Sequence, residues 1–82
     1  MKIKFDGQTL RIARRAVGMS QARLAKEVGI NPATVSHYET GLRSMNDDIA
    51  KQLRAALPIS DEDLMFLLAA HRQLKRREGR AG

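Results

Sequence analysis

One stretch, from Ser20 to Gly41, constrains the fold more than any other, because it predicts two short helices joined by a tight turn. Ser20 is suited to cap the first helix by accepting from free backbone N–H groups, and Gly29 can end it in the left-handed conformation. Asn31 is suited to cap the second helix, and Pro32 occupies its first position, where a missing N–H has no consequence. The rest of the chain is expected to pack around this pair.

The second of these helices has two different faces, which a rotation of about 100° per residue separates. With Val35 taken as the centre, the face predicted to pack inward carries Asn31, Tyr38, Glu39 and Leu42. The opposite face carries Ala33, Ser36, His37 and Thr40. This outward face is small and polar and lacks the long Lys or Glu side chains that usually solvate a helix. It is suited to lie against another surface, and the major groove of DNA admits one α-helix.

Length and charge narrow the class of protein. A chain of 82 residues is expected to form one small domain with a thin core, which association would support. The net charge of +6 is typical of domains that bind polyanions, although a basic surface can also serve solubility alone. There is no cysteine, no signal peptide and no apolar run long enough to span a membrane. We therefore expect a cytoplasmic protein without disulfides or a thiolate metal site.

Helices are also predicted on both sides of the central pair. One covers residues 8–17, and another begins after a capping residue, Asn46, and ends at Pro58. In the first of these helices the residues predicted to face the core are Leu10, Ala13 and Val17. In the second they are Ile49, Leu53, Ala56 and Leu57. Lys51 and Arg54 of the second helix are predicted to point outward.

The N-terminal segment, residues 1–6, is consistent with two structures. In MKIKF, charged and apolar residues alternate, which favours a short strand or an extended arm. A lone strand needs a partner, and no other stretch has the pattern of a strand, so the same segment of a second copy is one candidate. A flexible arm with Phe5 placed on the core is the other.

The last predicted helix, residues 60–77, is apolar on nearly every side. The stripe predicted to face the core consists of Leu64, Leu67, Leu68, His71 and Leu74, and the other faces carry Met65, Phe66, Ala69 and Ala70. A helix that is apolar all round should be covered all round, so we expect the second group to form a dimer interface. The alternative is a helix end with exposed apolar surface, which is common in small proteins. Residues 78–82 show no pattern and are predicted to be disordered.

Residues from about Gly7 to Leu57 resemble the DNA-binding domain of the Cro/cI family, also called Xre, of phage and bacterial repressors. The matching run is Ser20-Gln21-x-x-Leu24-Ala25, then Gly29, then Val35-Ser36-x-Tyr38-Glu39-x-Gly41. The resemblance implies an all-α fold, a compact lambda-repressor-like bundle of about five helices with a central helix-turn-helix, which binds DNA as a two-fold dimer. Residues 7–77 would then be one DNA-binding domain, with residues 60–77 as its dimerisation helix.

The resemblance also implies roles for individual positions. Four side chains would face base edges, namely Pro32, Ala33, Ser36 and His37. Seven would touch the sugar–phosphate backbone, namely Ser20, Gln21, Thr34, Thr40, Arg43, Ser44 and Asn46. Arg14 and Glu39 match an ion pair that ties the first helix to the third, and an inward-facing carboxylate needs such a cation.

This sequence departs from the family pattern in three respects. Neither Gln nor Arg stands on the base-facing surface, so His37 is the first choice for direct base readout, with contact to phosphate or water as its alternative. Pro58 occupies a position where the family usually has Gly, and Arg54 one where it often has a small residue. The junction between the last two helices is therefore expected to pack in its own way.

These observations predict a sequence-specific regulator of transcription that binds double-stranded DNA. A repressor of phage, plasmid or mobile-element origin, which binds an inverted repeat as a homodimer, is the first hypothesis. The alternative is an antitoxin-like protein that also binds a second protein through its last helix and basic tail. An enzyme is disfavoured, because His37 and His71 have no nucleophile, base partner or metal-ligand spacing. No cofactor, metal or membrane partner is expected, and the protein would associate with the nucleoid when bound to DNA.

Overall fold

Five α-helices follow one another in the computed structural model, which describes the backbone of residues 3–81 and the side chains of residues 3–74. They are α1 (Gly7–Ala16), α2 (Gln21–Val28), α3 (Pro32–Thr40), α4 (Asp47–Ala56) and α5 (Asp61–Ala81). Residues 3–81 contain no strand. The all-α bundle of about five helices that the sequence predicts is confirmed.

Local hydrogen bonds begin and end the central helices as the sequence predicts. The Ser20 hydroxyl oxygen accepts from a backbone N–H of the first turn of α2 at 3.0 Å. Asn31 Oδ1 accepts from a backbone N–H of the first turn of α3 at 2.9 Å. Gly29 and Gly41 follow these helices with φ of +74° and +82°, a conformation that costs other residues about 1–2 kcal/mol. The turn between α2 and α3 is therefore encoded by the residues that flank it.

The core lies where α1, α2, α3 and α4 meet the beginning of α5. Each of the five helices contributes one large side chain that is completely buried, and these are Leu10, Leu24, Val35, Leu53 and Leu64. Complete burial of a Leu or Val side chain contributes about 1.5–3 kcal/mol. Four of these side chains, Leu10, Val35, Leu53 and Leu64, belong to the core predicted from helical periodicity.

Helix α1 begins at a point where its backbone lies directly against the backbone of α3. A Cβ atom placed on Gly7 would lie 1.8 Å from the carbonyl oxygen of Tyr38 in α3. No side chain fits in that space, so α1 can dock against α3 only if residue 7 is glycine. The helix itself is capped by Asp6, whose Oδ1 accepts from Thr9 N at 2.9 Å. Neither the cap nor the close approach is among the sequence predictions.

The N-terminal segment is an arm rather than a strand in its described part, residues 3–6. Ile3 and Phe5 are half-buried and pack against the core, as the second of the two alternatives predicts for Phe5. The Thr9 hydroxyl donates to the backbone oxygen of Lys4 at 3.1 Å and ties the arm to α1. Residues 1 and 2 lie outside the described residues.

Two apolar residues predicted to face the core are exposed. Leu42 follows Gly41, whose left-handed conformation turns the chain away from the axis of α3, and 74% of Leu42 is accessible to solvent. The prediction that Leu42 faces inward was wrong, because a rotation of 100° per residue applies only within a helix, and α3 ends at Thr40. Leu74 in α5 is 59% exposed, because the core extends only along the first part of that helix, where Leu64 is buried. Leu67, Leu68 and His71 are half-buried.

Helix α5 continues beyond its predicted end. The prediction placed residues 78–82 in a disordered tail, whereas the backbone remains helical to Ala81; Gly82 lies outside the described residues. Lys, Arg, Glu and Ala all have favourable helix propensities, which supports this extension. Among the described residues, none of the helices combines the length and the apolar character needed to cross a membrane.

Arg54 connects α4 to α5 instead of pointing outward as predicted. Its Nη2 donates to the backbone oxygen of Ile59 at 2.9 Å and to Asp61 Oδ1 at 2.6 Å. The segment between the two helices leaves a carbonyl without a helical partner, and the guanidinium of Arg54 satisfies it. Because Asp61 is largely exposed, the ion pair itself adds little, and the bond to the Ile59 carbonyl is the more important one.

Candidate nucleic-acid interface

The outward side of α3 is accessible along its length. Pro32, Ala33 and Thr40 are exposed, and Thr34, Ser36 and His37 are half-buried. The side chains of the buried face are Val35, Tyr38 and Glu39. The four residues that the resemblance assigns to base contacts therefore lie together on the surface of one helix.

A network of buried polar groups holds α3 in place. Arg14 Nε donates to Glu39 Oε2 at 2.6 Å, and Arg14 Nη2 donates to Glu39 Oε1 at 3.0 Å. The third nitrogen of the same guanidinium, Nη1, donates to the backbone oxygen of Met19 at 2.8 Å. The ion pair implied by the resemblance is present, and it joins α1, α3 and the segment before α2. The sequence analysis did not predict that the Met19 carbonyl oxygen accepts a hydrogen bond from Arg14, because no motif or spacing identifies a backbone acceptor.

The carboxylate of Glu39 is ionised and neutralised within this network. Burial raises the pKa of Glu39, because it removes the charged group from water. Hydrogen bonds from Arg14 and Gln21, together with the positive charges of Arg14 and Arg11, outweigh burial and hold the pKa of Glu39 below its ordinary value of 4.5. The one acidic side chain of α3 is thus turned inward and presents no negative charge at the surface.

Gln21 contributes to the same network from the first position of α2. Its Nε2 donates to Glu39 Oε1 at 3.0 Å. An amide nitrogen carries two hydrogens, so one remains for a second acceptor such as a phosphate oxygen. Ser20 beside it uses its hydroxyl oxygen as the α2 cap, and the hydroxyl hydrogen remains for donation. Sequence reasoning missed the bond between Gln21 and Glu39, because the two residues are far apart along the chain.

The loop after α3 is tied back to that helix. Arg43 N donates to the backbone oxygen of His37 at 3.1 Å, and the Thr40 hydroxyl donates to the same oxygen at 3.4 Å. The side chains of Arg43 and Ser44 are exposed. This arrangement keeps a cationic side chain beside the C-terminal end of the exposed face of α3.

Of the seven residues predicted to contact the sugar–phosphate backbone of DNA, Asn46 has the surroundings that are least favourable to an anion. Its Oδ1 caps α4 by accepting from Ile49 N at 2.9 Å, so only its amide N–H groups remain for a further partner. Asp47 and Asp48 occupy the first turn of α4 and place negative charge next to it. By contrast, the first turns of α2 and α3 contain no acidic residue. Free backbone N–H groups at such helix ends favour phosphate.

The residues predicted for the dimer interface are on a different part of the molecule. Met65, Phe66, Ala69 and Ala70 are exposed on α5, which packs against α1. No group of three or more His, Cys, Asp or Glu residues that could hold a metal ion occurs in the described part of the chain. The concentration of exposed polar and cationic groups around α2, α3 and the loop after α3 is therefore the candidate functional surface.

The family described as helix-turn-helix matches residues 10–64, which is more than half of the chain and includes α2, the turn and α3. The chain belongs to the Cro/cI-type helix-turn-helix family. This is a family of DNA-binding transcriptional regulators, and the match covers the Arg14–Glu39 network as well as the exposed face of α3. The family resemblance inferred from the motif is confirmed.

Two curated proteins are similar to this chain, and both are named as candidate HTH-type transcriptional regulatory proteins. The one from Methanocaldococcus jannaschii is 28% identical in an alignment that is 74 positions long, and the alignment covers 76% of this chain and 23% of the relative. The one from Methanococcoides burtonii is 36% identical over 58 residues, which cover 71% of this chain and 18% of the relative. The chain thus spans about a quarter or less of these curated relatives. No solved structure matches it significantly.

Proposed function

We propose that this chain recognises specific sequences in double-stranded DNA and regulates transcription, with α3 lying in the major groove. The observation that supports this most directly is the outward face of α3, which is exposed, small and free of ionised carboxylate. DNA repels a negatively charged helix, and small side chains allow the helix backbone to lie close to the base edges of the major groove. The buried pairing of Glu39 with Arg14 removes the charge that would otherwise oppose this docking.

Base recognition is proposed for the middle of that face. His37 is the one ring with hydrogen-bonding nitrogens there, and it donates to, or accepts from, base edges in the major groove. Ser36 offers a hydroxyl to several bases, and Ala33 a methyl group suited to the methyl of thymine. Pro32 has no N–H and contributes only apolar contact.

Contacts to the sugar–phosphate backbone are proposed on both sides of α3. On one side lie Ser20 and Gln21 at the start of α2, and on the other side lie Arg43 and Ser44 in the loop. Thr34, Thr40 and Asn46 complete the set that the resemblance implies. Because lysines and arginines displace counterions from DNA, the affinity is expected to fall steeply as salt increases.

The proposal extends to a repressor that binds an inverted repeat as a homodimer and blocks a promoter by occupancy. In such a dimer, the two copies of α3 enter successive major grooves about 34 Å apart. The exposed apolar surface of α5 supports self-association. The same surface also supports a second candidate function, an antitoxin-like protein in which α5 binds a different protein, and heteromeric complexes in place of homodimers would favour that alternative.

Selection of bound fragments from random duplex DNA tests this proposal. The expected result is enrichment of one short sequence present twice, in inverted orientation, with half-site centres separated by about one helical turn. Enrichment of a single unrepeated half-site would support DNA recognition and contradict binding as a homodimer. Failure to enrich any sequence, in a sample shown by circular dichroism to be folded, would remove sequence-specific DNA binding.

A further inference from the structure

A groove with a volume of about 590 Å³ lies between the N-terminal arm, α1 and α5. The described residues that line it include none from α3. Its apolar lining comes from all three elements and consists of Ile3, Ile12, Met65, Leu68 and Ala69. Pockets that bind small molecules have volumes of about 300–1,000 Å³ and are lined mainly by apolar side chains. The groove therefore has the size and the lining of a small-molecule site.

The lining of this groove suits a flexible aliphatic chain better than a flat ring. No Phe, Tyr or Trp occurs among the described residues that line it, and such side chains are the ones on which flat rings stack. Ile3 and Leu68 also pack against the core, which fixes the apolar floor. Gln8 Nε2 lies 3.3 Å from His71 Nε2 and joins α1 to α5. The groove is thus formed before any ligand binds.

Two cations stand at the rim of the groove. Lys4 on the arm and Arg72 on α5 both line it and are exposed, and neither pairs with a carboxylate in the described part of the chain. Asp6 is the one acidic residue of the described lining, and its Oδ1 already accepts from Thr9 N as the cap of α1. With histidine counted as neutral, the rim keeps one unbalanced positive charge. A singly charged anion balances it, whereas a cation is repelled.

We propose that this groove binds an aliphatic carboxylate of medium chain length. The aliphatic chain lies along Ile12, Met65 and Leu68, and the carboxylate pairs with Lys4 and Arg72 at the rim. Burial of the chain supplies most of the affinity, and the charges select the headgroup, because exposed ion pairs contribute little. The inference goes beyond DNA binding and does not depend on it.

The choice of headgroup is tested by isothermal titration calorimetry with sodium decanoate, below the concentration at which it forms micelles. One decanoate is expected to bind per chain. Decylammonium, which has the same chain and the opposite charge, is expected to bind about tenfold or more weakly, because two attractive contacts become repulsive. In the double variant K4E/R72E, decylammonium is expected to bind more tightly than decanoate. The matched control R23E/K26E, on exposed positions of α2, should keep the wild-type preference.

A filled groove tests the location. Ala69→Phe adds a ring at an exposed position of the lining and takes up space that the chain would occupy. It is expected to raise the dissociation constant of decanoate about tenfold or more. Ala70→Phe adds the same ring at the next exposed position, outside the described lining, and should leave the constant unchanged. Circular dichroism is expected to show both variants folded as the wild type is. In an NMR titration, the amide signals of Ile12 and Leu68 should shift while that of Ser36 in α3 stays in place.

Several results would overturn this site. They are binding of many decanoate molecules per chain, equal affinity for the two headgroups, and equal affinity of Ala69→Phe and Ala70→Phe for decanoate. Absence of decanoate binding at every concentration below micelle formation would also overturn it. Binding confined to phosphatidylglycerol vesicles would do the same, because it would assign the surface to a membrane. None of these results bears on recognition of DNA by α3, which selection from random duplexes tests separately.

Discussion

The guanidinium of Arg14 in α1 donates to both carboxylate oxygens of Glu39 in α3, at 2.6 and 3.0 Å, within a part of the fold that is almost closed to solvent. Its remaining nitrogen bonds the Met19 carbonyl, and Gln21 adds a bond to the carboxylate. No buried side-chain N or O atom in the described part of the chain lacks a hydrogen-bond partner. The network therefore fixes the orientation of α3 relative to α1 without an uncompensated charge.

Removing the cation of this pair is expected to destabilise the fold. Arg14→Ala leaves the buried Glu39 carboxylate with only Gln21 as a side-chain donor, and the expected loss in the free energy of unfolding is about 1–3 kcal/mol. Chemical denaturation at neutral pH gives the measurement. Arg15→Ala, at the exposed neighbouring position, should change stability by less than about 0.5 kcal/mol. Equal stability of the two variants would show that the pair contributes nothing net.

Acid is expected to weaken the folded state through Glu39. Its pKa is lower in the folded protein than the ordinary 4.5, so the folded state binds this proton less readily than the unfolded state does. The stabilisation is fully present above that ordinary value and is lost as the pH falls through the lowered pKa of the folded state. In Glu39→Gln the decline of unfolding free energy with acid should be shallower than in the wild type. Glu27→Gln, at an exposed site, is the control, and identical pH profiles for wild type and Glu39→Gln would contradict the prediction.

Alanine at position 7 is expected to destabilise the protein although alanine is the better helix former. Its Cβ would meet the Tyr38 carbonyl at 1.8 Å, so α1 and α3 would have to move apart. Overpacking of this kind costs about 1–3 kcal/mol, which exceeds the gain of about 1 kcal/mol in helix propensity. Thermal unfolding of Gly7→Ala, with Arg15→Ala as an exposed control in the same helix, decides the sign. A higher melting temperature for Gly7→Ala would show that the close approach relaxes without cost.

His37→Ala is expected to change which DNA sequences are preferred. If the imidazole contacts a base edge, its loss relaxes discrimination at one base pair by about 1–3 kcal/mol and leaves the other positions of the site unaffected. Selection from random duplexes with wild type and variant in parallel gives the comparison. A uniform loss of affinity for all sequences would instead assign His37 to the phosphate backbone.

Arg43→Ala is expected to weaken binding to all sequences alike. The side chain is exposed in the loop tied to the end of α3, where it is suited to contact phosphate. Its removal should reduce the slope of log affinity against log salt concentration by about 1. Lys51→Ala removes an equal charge from the exposed side of α4 and should leave the slope unchanged. A changed base preference in Arg43→Ala would move it into the recognition surface.

Much of the structure of the central motif could be predicted from the sequence. The Ser20 and Asn31 caps and the left-handed Gly29 and Gly41 depend on hydrogen bonds and torsion angles within a few residues. The amphipathic stripes, such as the one that contains Leu53 in α4, depend only on helical periodicity. The Arg14–Glu39 pair followed from the family resemblance, since local rules relate no two residues so far apart in the chain. These features could be predicted because each depends on neighbouring residues or belongs to a known family pattern.

The remaining features depend on how the helices come together. The contact of Gly7 with Tyr38, the bond from Arg54 to Ile59 and the exposure of Leu42 and Leu74 all depend on distances between elements or on where a helix ends. Periodicity describes which side of a helix is apolar, and it does not say how far along the helix a neighbour covers that side. The local backbone is encoded by near neighbours in the chain, whereas coverage, close approach and paired charge are properties of packing, because they exist only once separate segments share the same space.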